Sequence, residues 1–229
     1  MKNKFLSVLF AISLFFFIIT FAIGLPIYVH PFYYAHIDAM DLVERSGFSK
    51  QEIVEAYDEV LNYLTLPWCE FGTGVMKYSE EGASHFADCK FLFLLNASVL
   101  LISFAAVAVL LVLKLLKKIQ LPPLAKRSPA FWSAFSAIVL PLGLGGLMAL
   151  DFDRAFVIFH AIFFPGKDNW VFDYRTDQII RVLPQDFFMN CAILIGAGVV
   201  VLSAAILIAE LVISLKKRSS CDSEVPCDK

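Results

Sequence analysis

Charge is scarce in this chain. Asp, Glu, Lys and Arg supply only 17% of its 229 residues, whereas apolar residues supply 59%. Mean hydropathy is +0.73. That balance excludes an ordinary water-soluble domain. Cysteine is scarce too. Five scattered cysteines exclude a disulfide scaffold. Cys69 and Cys89 fall on one expected side, which leaves open a single bridge between them. Cys221 and Cys227 have no histidine nearby and make a poor metal site. The long apolar runs lack ionisable residues at their centres, and that argues against a transporter or pump. Glu210 is no exception, because it lies less than two turns before Lys216. No HExxH spacing and no internal repeat occurs.

What the chain has is four apolar runs, at about residues 5–29, 91–113, 131–150 and 189–215. A ~30 Å hydrocarbon layer takes ~20 helical residues. Continuous apolar runs that must satisfy their own backbone in lipid are helices. The first run follows Lys2 and Lys4 and contains Thr20-Phe21-Ala22, but it exceeds the ~7–15 residues of a signal core and is read as a retained helix. The expected fold is all-α: one integral membrane domain over 1–229, with four transmembrane helices. Outer segments 30–90 and 151–188 form an amphipathic-helical cap. An inner loop, 114–130, and a cytoplasmic tail, 216–229, complete the chain.

With both termini cytoplasmic, 11 Lys and Arg lie inside and 8 outside. The inner ones crowd the helix ends, where the positive-inside rule operates. The outer segments hold 17 acidic residues, a net charge of −9. Nucleic acid is not a partner for that surface.

In the first outer segment, Ser49-Lys50-Gln51-Glu52 reads as a capping box. Ile53, Val54, Tyr57, Val60, Leu61 and Leu64 then repeat at helical spacing. Glu52, Glu55, Asp58, Glu59 and Asn62 fill the other face, and Pro67 ends the helix. A packed lid is the expected role. The Asn96-Ala97-Ser98 sequon lies within a span and is discarded; Asn96 is expected to bond a neighbouring helix. The inner loop, basic and carrying Pro122-Pro123, is expected to turn tightly. Pro141, Gly143, Gly145 and Gly146 in the third span permit a kink and close helix approach. In the second outer segment, Phe152, Phe156, Phe159 and Phe163 share a helical face until Pro165-Gly166 breaks the pattern. Aromatics mixed with Asp and Arg then follow, as suits the headgroup zone.

Two histidine stretches, Ser84-His85-Phe86-Ala87-Asp88 and Phe159-His160-Ala161-Ile162-Phe163-Phe164, fall at the same outer face. Imidazole exchanges protons near neutral pH. Asp88, three residues after His85, is placed to orient its ring and support its charged form. His160, on an apolar helix, is expected to be held neutral by burial. His30 and His36 have no partner motif and read as interfacial. A zinc set from His85, Asp88, His160 and Asp173 lacks tight ligand spacing. Haem ligation requires histidines facing each other inside the bundle. From these residues alone, a catalytic pair, a non-enzymatic membrane assembly or sensor partner, and a zinc-dependent membrane hydrolase all stay open.

The stretches Ser84-His85-Phe86-Ala87-Asp88-Cys89-Lys90 and Phe159-His160-Ala161-Ile162-Phe163-Phe164 carry a resemblance. The second continues through Asn169-Trp170-Val171-Phe172-Asp173 to Asp177-Gln178-Ile179-Ile180-Arg181-Val182-Leu183-Pro184. In these the chain resembles the lipoprotein intramolecular transacylase (Lit) family of bacterial integral membrane proteins. The likeness covers nearly the whole chain, with Cys89 standing where an aliphatic residue is expected. The resemblance implies an acyltransferase of the bacterial cytoplasmic membrane that acts on diacylglyceryl-modified lipoproteins among membrane lipids. It would move the sn-2 acyl chain to the α-amino group of the same lipidated cysteine, giving the lyso form. His85 and His160 are then the expected catalytic pair, with Asp88 supporting. Phe156, Phe163 and Trp170 are expected to hold acyl chains, and Arg175 and Arg181 to steady polar groups. No cofactor or metal is called for.

Overall fold

The computed structural model describes residues 2–222, with side chains left aside at 2–3, 140, 142, 144–150 and 217–222. The described residues are helical, with no strand among them. In order they form α1 (Lys2–Tyr28), α2 (His30–Ala39), α3 (Leu42–Ser46), α4 (Lys50–Thr65), α5 (Glu80–Leu115), α6 (Pro129–Leu150), α7 (Phe152–Phe163), a 3₁₀ turn (Gln178–Arg181) and α8 (Gln185–Asp222).

Three helices are long and apolar enough to cross a membrane: Lys4–Tyr28, Glu80–Leu115 and Gln185–Lys216. They contain the expected first, second and fourth runs, give or take a residue. The expected third run lies on α6, whose described side chains form a shorter apolar helix, Pro129–Val139. Gly145 and Gly146 fall among the side chains left aside. α8 runs on to Asp222, beyond the expected end near Leu215, so Cys221 sits on a helix and not in an irregular tail. Cys227 lies outside the described residues.

The chain divides into two compact units. One comprises 2–19, 100–142 and 197–222. In it, Leu124 and Arg127 exchange backbone hydrogen bonds of 2.8 and 3.0 Å around Ala125 and Lys126, both at positive φ. This is the tight turn expected of the basic loop. Ser128 Oγ accepts from Phe131 N and donates to Glu210 Oε2, so the Glu210 carboxylate is satisfied at the start of α6. Ser133 Oγ reaches Ala11 O at 2.9 Å.

The other unit comprises 20–99 and 143–196. Its core is built on α4. Ser49 and Glu52 form the expected capping box. Ile53, Ala56, Tyr57, Val60, Leu61 and Leu64 are buried on one face. Leu66, held extended by the following Pro67, stops the helix. Against that face pack Tyr33, Ile37, Leu42, Phe86, Ile179, Val182 and Phe187. Tyr33 lies flat on Tyr57, centroids 3.7 Å apart, and donates to Val182 O at 2.7 Å. The acidic face of α4 is partly bonded: Asp58 accepts from Tyr34 Oη at 2.8 Å and pairs with His30 Nδ1 at 3.0 Å. His30, expected to be merely interfacial, therefore has a specific partner. Asn96 Nδ2 donates to Thr20 O on α1 at 3.3 Å, the interhelical bond expected of it. Cys69 and Cys89 are both free thiols.

Candidate active site

His85 sits in the second turn of α5, six residues before the apolar run that begins at Phe91. Ser79 starts this helix. Its Oγ accepts from Gly82 N at 2.9 Å, and its N and Oγ donate to the buried Asp177 carboxylate at 2.8 and 2.9 Å. A Cβ at Gly82 would run into that carboxylate. Gln178 extends the junction, its N donating to Lys77 O at 2.9 Å and its Oε1 accepting from Lys77 N at 2.8 Å. The chain that follows α7 is thereby tied to the start of α5.

His160 comes from the last turn of α7. Asp151 caps that helix by accepting from Arg154 N. Phe164 and the positive-φ Gly166 end it. The chain then folds back over α5. Lys167 Nζ and Asn169 Nδ2 meet the two oxygens of Asp88 at 2.5 and 3.1 Å.

These two supports bring the histidines together. Each is only 6% exposed, and their ring centroids are 5.7 Å apart. Trp170 stacks on His160 at 4.3 Å and 26°. Phe156 lies 4.3 Å from the same ring. Phe164 and Phe172 meet His85 edge-on at 4.9 and 5.5 Å. An imidazole closed in by aromatics loses water, and water favours its charged form most. Burial, together with the His160 ring, pushes His85 down to about 4, against the opposing pull of Asp88 and Asn169. Burial also lowers His160, offset in part by its backbone bond. Both shifts favour the neutral ring.

The hydrogen bonds say more. His160 Nδ1 lies 2.7 Å from Phe156 O, and a carbonyl only accepts. Nδ1 therefore carries the proton, and Nε2 presents a lone pair. His85 Nε2 lies 3.4 Å from Cys89 Sγ, while its Nδ1 is buried with no hydrogen-bond partner. The Cys89 thiol donates to Nε2 or accepts from it according to the tautomer of His85.

Not every expected residue arrives here. Phe156 and Trp170 do. Phe163 is half exposed and packs on Phe159. Arg175 pairs with Asp173 at 3.7 Å, and Arg181 Nε donates to Tyr174 O at 2.9 Å. Neither arginine reaches the imidazoles. Asp88 does not bond His85 directly; its partners are Lys167 and Asn169. The zinc set considered above does not converge, with Asp88 and Asp173 each committed to a cation. Phe164, Phe172 and Asn169 were not singled out from the sequence. They figured only within the stretches that carry the resemblance, with no role of their own.

The family profile described as lipoprotein intramolecular transacylase Lit matches residues 8–188. The chain belongs to that family. Lit is an acyltransferase, and its solved relatives are membrane-integral. A crystal structure of Lit from Bacillus cereus is 26% identical, with a TM-score of 0.85 over 95% of this chain and 98% of that one. Two further Bacillus cereus Lit structures carry a histidine mutated to arginine or to alanine. Each is 25% identical with a TM-score of 0.78, over 96% of this chain and 95% of that one for arginine, and 95% and 96% for alanine. No curated protein matches the chain. Family membership makes the chain an acyltransferase and sets the non-enzymatic alternative aside.

Proposed function

We propose that the chain moves the sn-2 acyl group of a bacterial lipoprotein's diacylglyceryl-cysteine to the α-amino group of that cysteine, with His85 and His160 as acid–base catalysts. The observation that carries this reading is the approach of two buried imidazoles inside one aromatic enclosure.

Proton accounting explains why two are needed. An α-amino group has a pKa of ~7.7–8 and arrives mostly as ammonium. Becoming an amide, its nitrogen loses two protons, while the sn-2 oxygen gains one as its bond to the acyl carbon breaks. Two proton acceptors and one donor are therefore required. His160 is the less depressed ring and has its Nε2 lone pair free, so it takes the first proton and releases the amine to attack. The tetrahedral adduct's nitrogen is far more acidic, so the weaker base His85 suffices for the second. As imidazolium, His85 is the stronger acid and protonates the departing oxygen. The sequence left the two roles exchangeable, and the unequal effect of burial on the two rings supports this division. The aromatic walls of Phe156, Phe164, Trp170 and Phe172 would hold amine and ester together, and such orientation gives effective molarities of ~10⁵–10⁸ M.

The short, basic connections place 114–130 and both termini in the cytoplasm under the positive-inside rule. With four spans in the bacterial cytoplasmic membrane, the histidines face the outer leaflet, where exported lipoproteins are anchored. The outer segments 30–90 and 151–188 serve as a cap, and Arg175 and Arg181 as contacts to headgroups.

The test is the N-terminal lipopeptide of a reporter lipoprotein, analysed by mass spectrometry. His85→Gln and His160→Gln in correctly inserted protein should each lower the lyso product by about a hundredfold or more. Undiminished product from both would end the proposal.

A further inference from the structure

We propose that Asn169 is a positioning residue that holds His85 in one tautomer, Nδ1 carrying the proton and Nε2 the lone pair, and that Asp88 acts on the ring through this amide. The inference rests on the acid–base reading above and gives Asp88 its place in it.

An amide has one donor end and one acceptor end, whereas a carboxylate only accepts. Asn169 Nδ2 lies 3.1 Å from Asp88 Oδ2 and 3.4 Å from Ser84 Oγ. The nitrogen end therefore faces α5, and the amide cannot flip without setting its oxygen against a carboxylate. Lys167, bonded to the other oxygen of Asp88, fixes that carboxylate in turn. Ser84 and Asp88 stand one residue before and three after His85, so the amide sits beside the imidazole.

Two buried atoms in the site are left with no hydrogen bond: Asn169 Oδ1 and His85 Nδ1. They are complementary, an acceptor and a ring nitrogen that becomes a donor when protonated. Buried polar atoms nearly always find partners. Asn169 is also near enough to His85 to pull its pKa upward, against the burial that lowers it. On the far side of the ring, Nε2 lies 3.4 Å from the Cys89 thiol, which can donate. The fixed amide and the two complementary unpaired atoms favour one arrangement, in which Nδ1–H faces the amide and Nε2 keeps its lone pair. A wrong tautomer would turn a proton on Nε2 toward the reacting groups and remove the base.

The experiment is two-bond ¹H–¹⁵N NMR on the full chain, labelled with ¹⁵N-histidine in detergent micelles, with His85 assigned by its loss in His85→Gln. Wild-type His85 should show a pyrrole-like Nδ1 and a pyridine-like Nε2. Asn169→Ala and Asp88→Ala should shift it toward the Nε2–H form and lower lyso product roughly tenfold or more. Asp88→Asn still offers an oxygen to Nδ2 and should keep the wild-type pattern. A wild-type His85 protonated on Nε2 would overturn the proposal, whether or not any variant folds. So would an unchanged His85 pattern in Asn169→Ala, because lost activity would then report only a displaced loop. Full activity in His85→Gln would instead refute the acid–base reading and leave the tautomer result standing on its own.

Discussion

The Trp170 indole lies on the His160 ring, centroids 4.3 Å apart and 26° from parallel. This stacking excludes water from an imidazole that α7 would otherwise present at its surface. It makes the neutral ring depend on one side chain from the following loop. Trp170→Ala should raise the pKa of His160 toward its ordinary ~6.5, because water stabilises the charged form. A base must be unprotonated, so the acid limb of the pH–rate profile should move to higher pH. The maximal rate should fall by about tenfold to a hundredfold as the ring loses its orientation. A profile measured on a synthetic lipopeptide would show both changes.

Gly82→Ala should disturb the histidine site from a distance. The added methyl group collides with the Asp177 carboxylate, which accepts from Ser79 at the start of α5. Activity should drop and α5 should fray toward His85. Hydrogen exchange at Ala83 to Phe86 should rise in step with the lost activity.

Ser49→Ala removes the capping box of α4 and nothing at the histidines. Loss of such a cap costs about 1 kcal/mol. The unfolding midpoint should fall while the rate constant of the remaining folded protein stays unchanged. Thermal unfolding followed by residual activity at low temperature separates the two effects.

Cys69 and Cys89 are free thiols. Alkylation of denatured, unreduced protein should label both, and reductant should leave activity unchanged. Peptide mass spectrometry reads the outcome.

Much of this protein was legible as linear pattern. Apolar runs announced the membrane helices, because lipid leaves the backbone no other way to satisfy itself. The α4 helix was readable from cap to end, since Ser49, Glu52 and Pro67 act within a few residues of one another. His85 and His160 stood out as rare titratable groups beside carboxylates and aromatics. Such signals are local, with chemistry and spacing contained in a single turn or run.

The partners were not local. Asp88 was expected to hold His85, its neighbour on the same helix face, yet Lys167 and Asn169 reach it from another segment. Arg175 and Arg181 shared a promising stretch with Trp170, but Asp173 and the Tyr174 carbonyl take them up. Asp177 reads as one acidic residue among many, and only the fold shows it capping the helix that carries His85. The amino-acid sequence by itself determined the apolar helices, the amphipathic α4 and which side chains can carry protons. The tertiary structure decided which aromatic rings enclose the two imidazoles and which segment supplies the partners of Asp88. Those properties depend on how the loop after Phe164 folds back over α5, and helical periodicity does not encode that path.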